Sequence, residues 1–212
     1  MAANFLLPLA LLLCASTAQA QLGLQIGYNS STCRMNNYKQ TLAPSRISGI
    51  TMGAFYRSQG RYVLVQPTLA FTQKGTRDSS LINRSPWKYE YRHTRLNYFQ
   101  FSMPVLLQLR VPKTALSFEA GLGPYAAWLT HARSVGKEYI AGGKAIEDYS
   151  IGNSNTDDFK KWDGGISFIA GISYHRLAVS ASYDWGMTNV TPKLQQTIQN
   201  RNLGINLILL LD

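Results

Sequence analysis

Strict alternation of apolar and small or polar side chains, repeated in eight separate segments, is what most constrains this chain. The fourth segment, "LNYFQFSMPVLLQLR" (96–110), shows it at full length. Phe99, Phe101, Met103, Val105, Leu107 and Leu109 share one face; Tyr98, Gln100, Ser102 and Gln108 share the other. The same period of two marks 22–29, 49–57, 62–75, 116–128, 165–174, 177–188 and 202–211. A period of two belongs to strands with one face in an apolar medium. The connections alternate as well. Ser58-Gln59-Gly60, Val111-Pro112-Lys113 and His175-Arg176 are short, whereas the others are long and rich in Gly, Asn, Ser and charge. Eight antiparallel strands with short turns at one end and long loops at the other form an up-and-down meander.

The apolar face meets either a sealed core, as in a soluble lipocalin-like carrier, or lipid. The second face decides. A water-facing surface carries about a quarter to a third Lys, Arg, Glu and Asp. Here that face is mostly Gly, Ser, Thr, Ala, Asn and Gln, and its strand charges reduce to Arg57, Arg110, Glu119 and Asp184. Small polar residues fill a narrow lumen well. From Phe99 to Leu109 the strand rises roughly 33 Å at about 3.3 Å per residue. Tilted by roughly 40°, it projects to about 25 Å, the height of the apolar band on an outer-membrane barrel. Aromatics also sort into two levels. Tyr28, Phe71, Phe99, Trp128 and Trp185 fall at the long-loop end, and Tyr56, Phe118 and Tyr174 at the other. The reading is therefore an all-β, eight-stranded antiparallel transmembrane barrel. Phe99, Phe101, Leu107, Phe118, Leu122, Trp128, Trp185, Ile205 and Leu207 are expected to face lipid, and Arg57, Gln100, Arg110, Glu119 and Asp184 the interior. A lipid-embedded sheet must close on itself, because no backbone group can stay unpaired there.

Residues 1–20, with the apolar run Phe5 to Ala15 and the small-x-small Ala18-Gln19-Ala20, read as a secretory signal peptide, leaving 21–212 as the barrel domain. Cys33 alone remains after it, so no internal disulfide is expected. Pro67, Pro104 and Pro124 fall inside strands and each removes a ladder donor. Bulges are expected beside them.

These prolines carry a resemblance. "QPTLAFTQKG" (66–75), "NYFQFSMPVLLQLR" (97–110) and "AGLGPYAAW" (120–128) resemble segments of the PorT-like outer-membrane β-barrel proteins of Bacteroidota, small barrels of the porin-family type. The resemblance implies an N-terminus in the periplasm and long loops outside the cell. It also implies a structural, binding or envelope-assembly role, secretion accessory among the possibilities, and carries no catalytic motif or cofactor.

An eight-stranded lumen is filled by side chains, so a general diffusion pore is not expected. Arg110 and Glu119 flank one short turn and are expected to form an interior salt bridge. The excess of Lys+Arg, 21 against 11 Asp+Glu, suggests an anionic partner. The second long loop and its flanks concentrate Lys74, Arg77, Arg84, Lys88, Arg92 and Arg95, which makes Arg77, Arg84, Lys88, Arg92 and Arg95 candidates for lipopolysaccharide phosphates. The implied partners are outer-membrane lipid, lipopolysaccharide and other envelope or secretion proteins; the expected location excludes nucleic acid. An outer-membrane enzyme acting through rim residues is the alternative, with His131, Asp163 and a loop serine as a hydrolase-like set. No His, Cys or Asp cluster has metal-ligand spacing, and no cofactor is implied.

Overall fold

The structure, a computed structural model, describes residues 20–36, 45–58, 60–81, 89–138, 144–193 and 197–211. Residues 1–19 of the expected leader, Arg84 and Lys88 lie outside them, and Ala20, the last residue of that leader, opens the first strand. Eleven strands occur among the described residues: β1 (Ala20–Asn36), β2 (Ile47–Ser58), β3 (Val63–Val65), β4 (Thr68–Leu81), β5 (Tyr89–Ser102), β6 (Val105–Arg110), β7 (Leu116–Glu138), β8 (Lys144–Asp148), β9 (Trp162–Tyr174), β10 (Leu177–Gly186) and β11 (Thr197–Leu211). They build eight staves, because β3/β4 and β5/β6 are single staves interrupted by proline, and β8 only extends a hairpin from the top of β7. All neighbours are antiparallel, and β11 pairs with β1 from Leu22↔Leu211 to Asn36↔Thr197, closing the ring.

The alternation determines which way each side chain points. Outward residues include Leu24, Ile26, Phe99, Phe101, Leu107, Phe118, Leu122, Trp128, Trp185, Ile205 and Leu207, all with much of their surface exposed. Thr72, Lys74, Tyr98, Gln100, Glu119, Ser167, Asp184 and Asn206 are buried inside the ring. An exposed surface this apolar excludes water as the surrounding medium. The soluble-carrier arrangement, with these large residues facing one another inside, is the reverse of what is observed.

The prolines behave more economically than expected. Pro67 and Pro104 interrupt their staves, but Pro124 lies within an unbroken β7. Each lacks a donor yet keeps its acceptor: Tyr56 N–H donates to Pro67 O (3.0 Å), Gln66 N–H to Pro104 O (3.0 Å), and Met103 N–H to Pro124 O (3.1 Å). Gln66 and Met103 directly precede Pro67 and Pro104. The three defects thus lie along one diagonal seam, the residue before Pro67 donating to Pro104 and the residue before Pro104 donating to Pro124. Gly123 lies on this seam, where a Cβ would overlap the Met103 carbonyl oxygen and Pro104 Cα.

The bulge in β7 lies elsewhere. Its register with β5 shifts between Asn97/Tyr98, which pair with His131 and Leu129 and leave Thr130 extra. Below this point the odd residues Glu119, Tyr125 and Leu129 point inward; above it the even residues Ala132 and Ser134 do. A one-residue shift exchanges the faces of everything beyond it. His131 and Arg133 are therefore turned outward.

Candidate functional site: a sealed lumen and a basic outer wall

Two polar layers cross the lumen. In the lower one, Arg57 of β2 reaches across the ring to β7, donating from Nη1 to Glu119 Oε1 at 2.9 Å. Its Nε and Nη2 grip Gln66 Oε1 at 2.9 and 2.6 Å. Glu119 also accepts from Gln108 Nε2 and Ser173 Oγ, each at 3.2 Å. Both charges are almost fully buried. The ion pair expected between Arg110 and Glu119 is thus replaced by Arg57–Glu119. Arg110, on the same inward row as Gln108, sits at the exposed mouth of the lumen and donates from Nε to Gln108 Oε1 (3.0 Å). Its position by the turn gives it water, whereas Arg57, deeper in its stave, must find a carboxylate.

The upper layer centres on Lys74, a residue that sequence position assigns to a loop flank. Its ammonium lies 3.4 Å from Asp163 Oδ2 and 3.6 Å from Asp184 Oδ2. It also sits over the Tyr125 ring, 4.3 Å from the centroid. Asp163 accepts from Asn200 Nδ2 (2.9 Å), Thr188 Oγ1 (3.0 Å) and Tyr125 OH (3.4 Å). Asp184 accepts from Ser167, from Gln100 Nε2 (3.3 Å) and from Asn202 Nδ2 (3.3 Å). Buried charges survive only when so surrounded. Between the layers lies a cavity of about 60 Å³, lined by both. Around the upper layer Leu96, Tyr98, Tyr125, Ala127, Leu129 and Ala132 form an apolar plug, against which Tyr149, Ile151 and Phe159 of the third long connection pack.

The hydrolase-like set does not assemble. Asp163 is buried inside, while His131 is exposed on the outer wall, where its Nε2 is 3.7 Å from Asp148 Oδ1. Among the described residues no group of His, Cys, Asp and Glu is arranged to hold a metal. Of the expected anion contacts, Arg77 and Arg95 are exposed on the outer wall; Arg92 belongs to β5, but its side chain lies outside the description, as do Arg84 and Lys88 altogether. Arg133, not among the expected contacts, joins them. Its Nε donates to Asp148 Oδ1 at 2.8 Å, and this bond holds the Asp148 carboxyl below the usual carboxylate range.

A closed antiparallel ring, greasy outside and polar inside, is the architecture of an outer-membrane barrel. The model of the outer membrane protein beta-barrel domain matches residues 15–191, and the chain belongs to that family. No curated protein matches it in sequence. Among solved structures it is similar to Neisserial surface protein A (8% identity, 90% of this chain and 98% of that one, TM-score 0.43). It is also similar to Ail, the attachment invasion locus protein of Yersinia pestis (14% identity, 90% and 99%, TM-score 0.39).

Proposed function

We propose that this chain is a small structural or binding component of the bacterial outer membrane that works through its outer wall and outer connections, neither as a diffusion pore nor as an enzyme. In this reading the N-terminus and short turns face the periplasm and the long connections face outward. The outward Phe, Leu, Ile and Trp side chains meet acyl chains. The three proline-bearing segments support placing it with the PorT-like barrels, and hence in envelope assembly or secretion. The observation that carries the proposal is the doubly blocked lumen, with Arg57–Glu119 in one layer and Lys74–Asp163/Asp184, set among the residues of an apolar plug, in the other. Side chains fill an eight-stranded lumen of this width, and here the two ion-pair layers span it.

Conductance in planar bilayers tests it. The refolded protein, shown to be closed by a gel mobility that changes on boiling in SDS, is expected to give no sustained channel current. A stable open-channel current from that same material would overturn the proposal. The orientation is tested separately by labelling cysteines placed at Ser154 and at Thr114 on intact cells: only Ser154→Cys is expected to react.

A further inference from the structure

The outer wall of β4, β5 and β7 carries residues in rows set by the strand register, counted from the short-turn end. The lowest is aromatic: Phe71↔Phe99↔Trp128↔Trp162, with Phe71 and Phe99 6.0 Å apart and Trp128 and Trp162 4.9 Å apart. Above it come Asn97↔His131, then Arg95↔Arg133↔Asp148, then Arg77↔His93↔Val135. An outward-facing cleft of about 600 Å³ is lined by Arg77, Arg95, Arg133, His93 and His131.

Three features point to a ligand. Arg95 and Arg133 stand directly opposite each other, an arrangement that repels unless an anion lies between them. Asp148 engages Arg133 through Nε and Nη2, while Arg95 has no hydrogen-bond or ion partner among the described residues. On its other side Arg95 faces Gly75, which offers no side chain to cover it. Finally, Arg133 points outward only because Thr130 is bulged, so the wall is bent at the place where the basic cluster is completed.

Height identifies the ligand. From Phe99 to Arg95 is roughly 13 Å along the strand at about 3.3 Å per residue, or roughly 10 Å after a tilt of about 40°. Aromatic rows sit at the membrane interface, and the headgroup layer above each face of the hydrocarbon is about 5–7 Å thick. Arginine side chains reach down the difference. The cleft opens sideways from the wall, toward neighbouring lipid rather than toward the axis of the barrel.

We infer that Arg95 and Arg133, flanked by Arg77, form a binding site for the phosphates of a phosphorylated lipid headgroup in the outer leaflet. The guanidinium forks bind phosphate oxygens, and the adjoining apolar wall receives the acyl chains. The inference rests on the membrane orientation proposed above, but its test does not use that orientation.

The test is native mass spectrometry of the refolded barrel in detergent, with diphosphorylated lipid A, the same lipid dephosphorylated, and inorganic phosphate as probes. The wild type is expected to prefer the diphosphorylated lipid by about tenfold or more, as two charge-assisted contacts imply. R95Q/R133Q, confirmed as closed by unheated gel mobility, is expected to lose that preference, and R95K/R133K to retain part of it. Equal binding of the two lipid forms by the wild type, or an undiminished preference in R95Q/R133Q, would overturn the inference. Displacement of the lipid by millimolar inorganic phosphate would overturn it too, marking a site for a free anion. A conducting channel with intact lipid preference would instead remove the proposed function and leave this inference standing.

Discussion

Replacing Lys74 with methionine removes the ammonium from the upper layer while keeping an unbranched apolar stem. Two carboxylates, Asp163 and Asp184, are left facing each other with no counter-charge, since Lys74 is within 3.4 and 3.6 Å of them and wholly buried. Removing one partner of a buried pair costs about 3–5 kcal/mol. Six hydrogen-bond donors, three on each carboxylate, remain in place. They partly solvate the orphaned charge, so the lower end, about 3 kcal/mol, is expected. With a urea dependence of about 2 kcal/mol per molar, the unfolding midpoint in detergent should fall by roughly 1.5 M. Tryptophan fluorescence and unheated gel mobility both report it. The double variant K74M/D163N removes one of the repelling carboxylates and should recover about 1 kcal/mol or more. A shift below about 0.5 kcal/mol, the size of an ordinary surface change, or no recovery in the double variant, would refute the argument that Lys74 neutralises both acids.

Arg57→Ala should destabilise by about 3–5 kcal/mol by stranding Glu119, whereas Arg110→Ala should stay within about 0.5 kcal/mol; paired urea titrations separate the two arginines. Gly123→Ala forces a methyl group into the proline seam and should cost about 1–3 kcal/mol, read as a reduced closed fraction on unheated gels. The Arg133–Asp148 tie holds β8 to β7, and the folded-state carboxyl value is depressed. Its contribution is therefore complete above the ordinary value of 3.8 and is lost as pH falls through the depressed one. Amide exchange in the β7–β8 hairpin should accelerate there in the wild type but not in D148N.

The barrel was legible because one face of each segment is apolar and the other is neither apolar nor charged, a combination that admits few surroundings. The staves nevertheless run higher than that pattern shows: β1 reaches Asn36 and β7 reaches Glu138, where both faces meet polar media and alternation carries no hydropathy signal. Lys74 was hidden by its company. It sits in a charged stretch, yet parity with Thr68, Ala70 and Thr72 already assigned it to the inward face. Arg57–Glu119 was not legible at all, since neighbouring strands suggest neighbouring partners and this pair spans the lumen. The bulge at Thr130 has no local composition that announces it, so Arg133 was invisible as a wall residue.

The proline seam has a consequence for how the sheet finds its alignment. Inside-outside patterning is blind to a slip of two residues, which returns every side chain to its proper face. In the observed register the Gln66 carbonyl, which lies opposite Pro104 and gets no N–H from it, accepts instead from Thr68 Oγ1 at 3.1 Å; a slip of two between the staves would set the proline against a carbonyl that has no such substitute donor. In a solvent with no water to take up the difference, that penalty is large enough to reject the error. Pro67, Pro104 and Pro124 thus act as fiducial marks, selecting one pairing among those that hydropathy alone would permit.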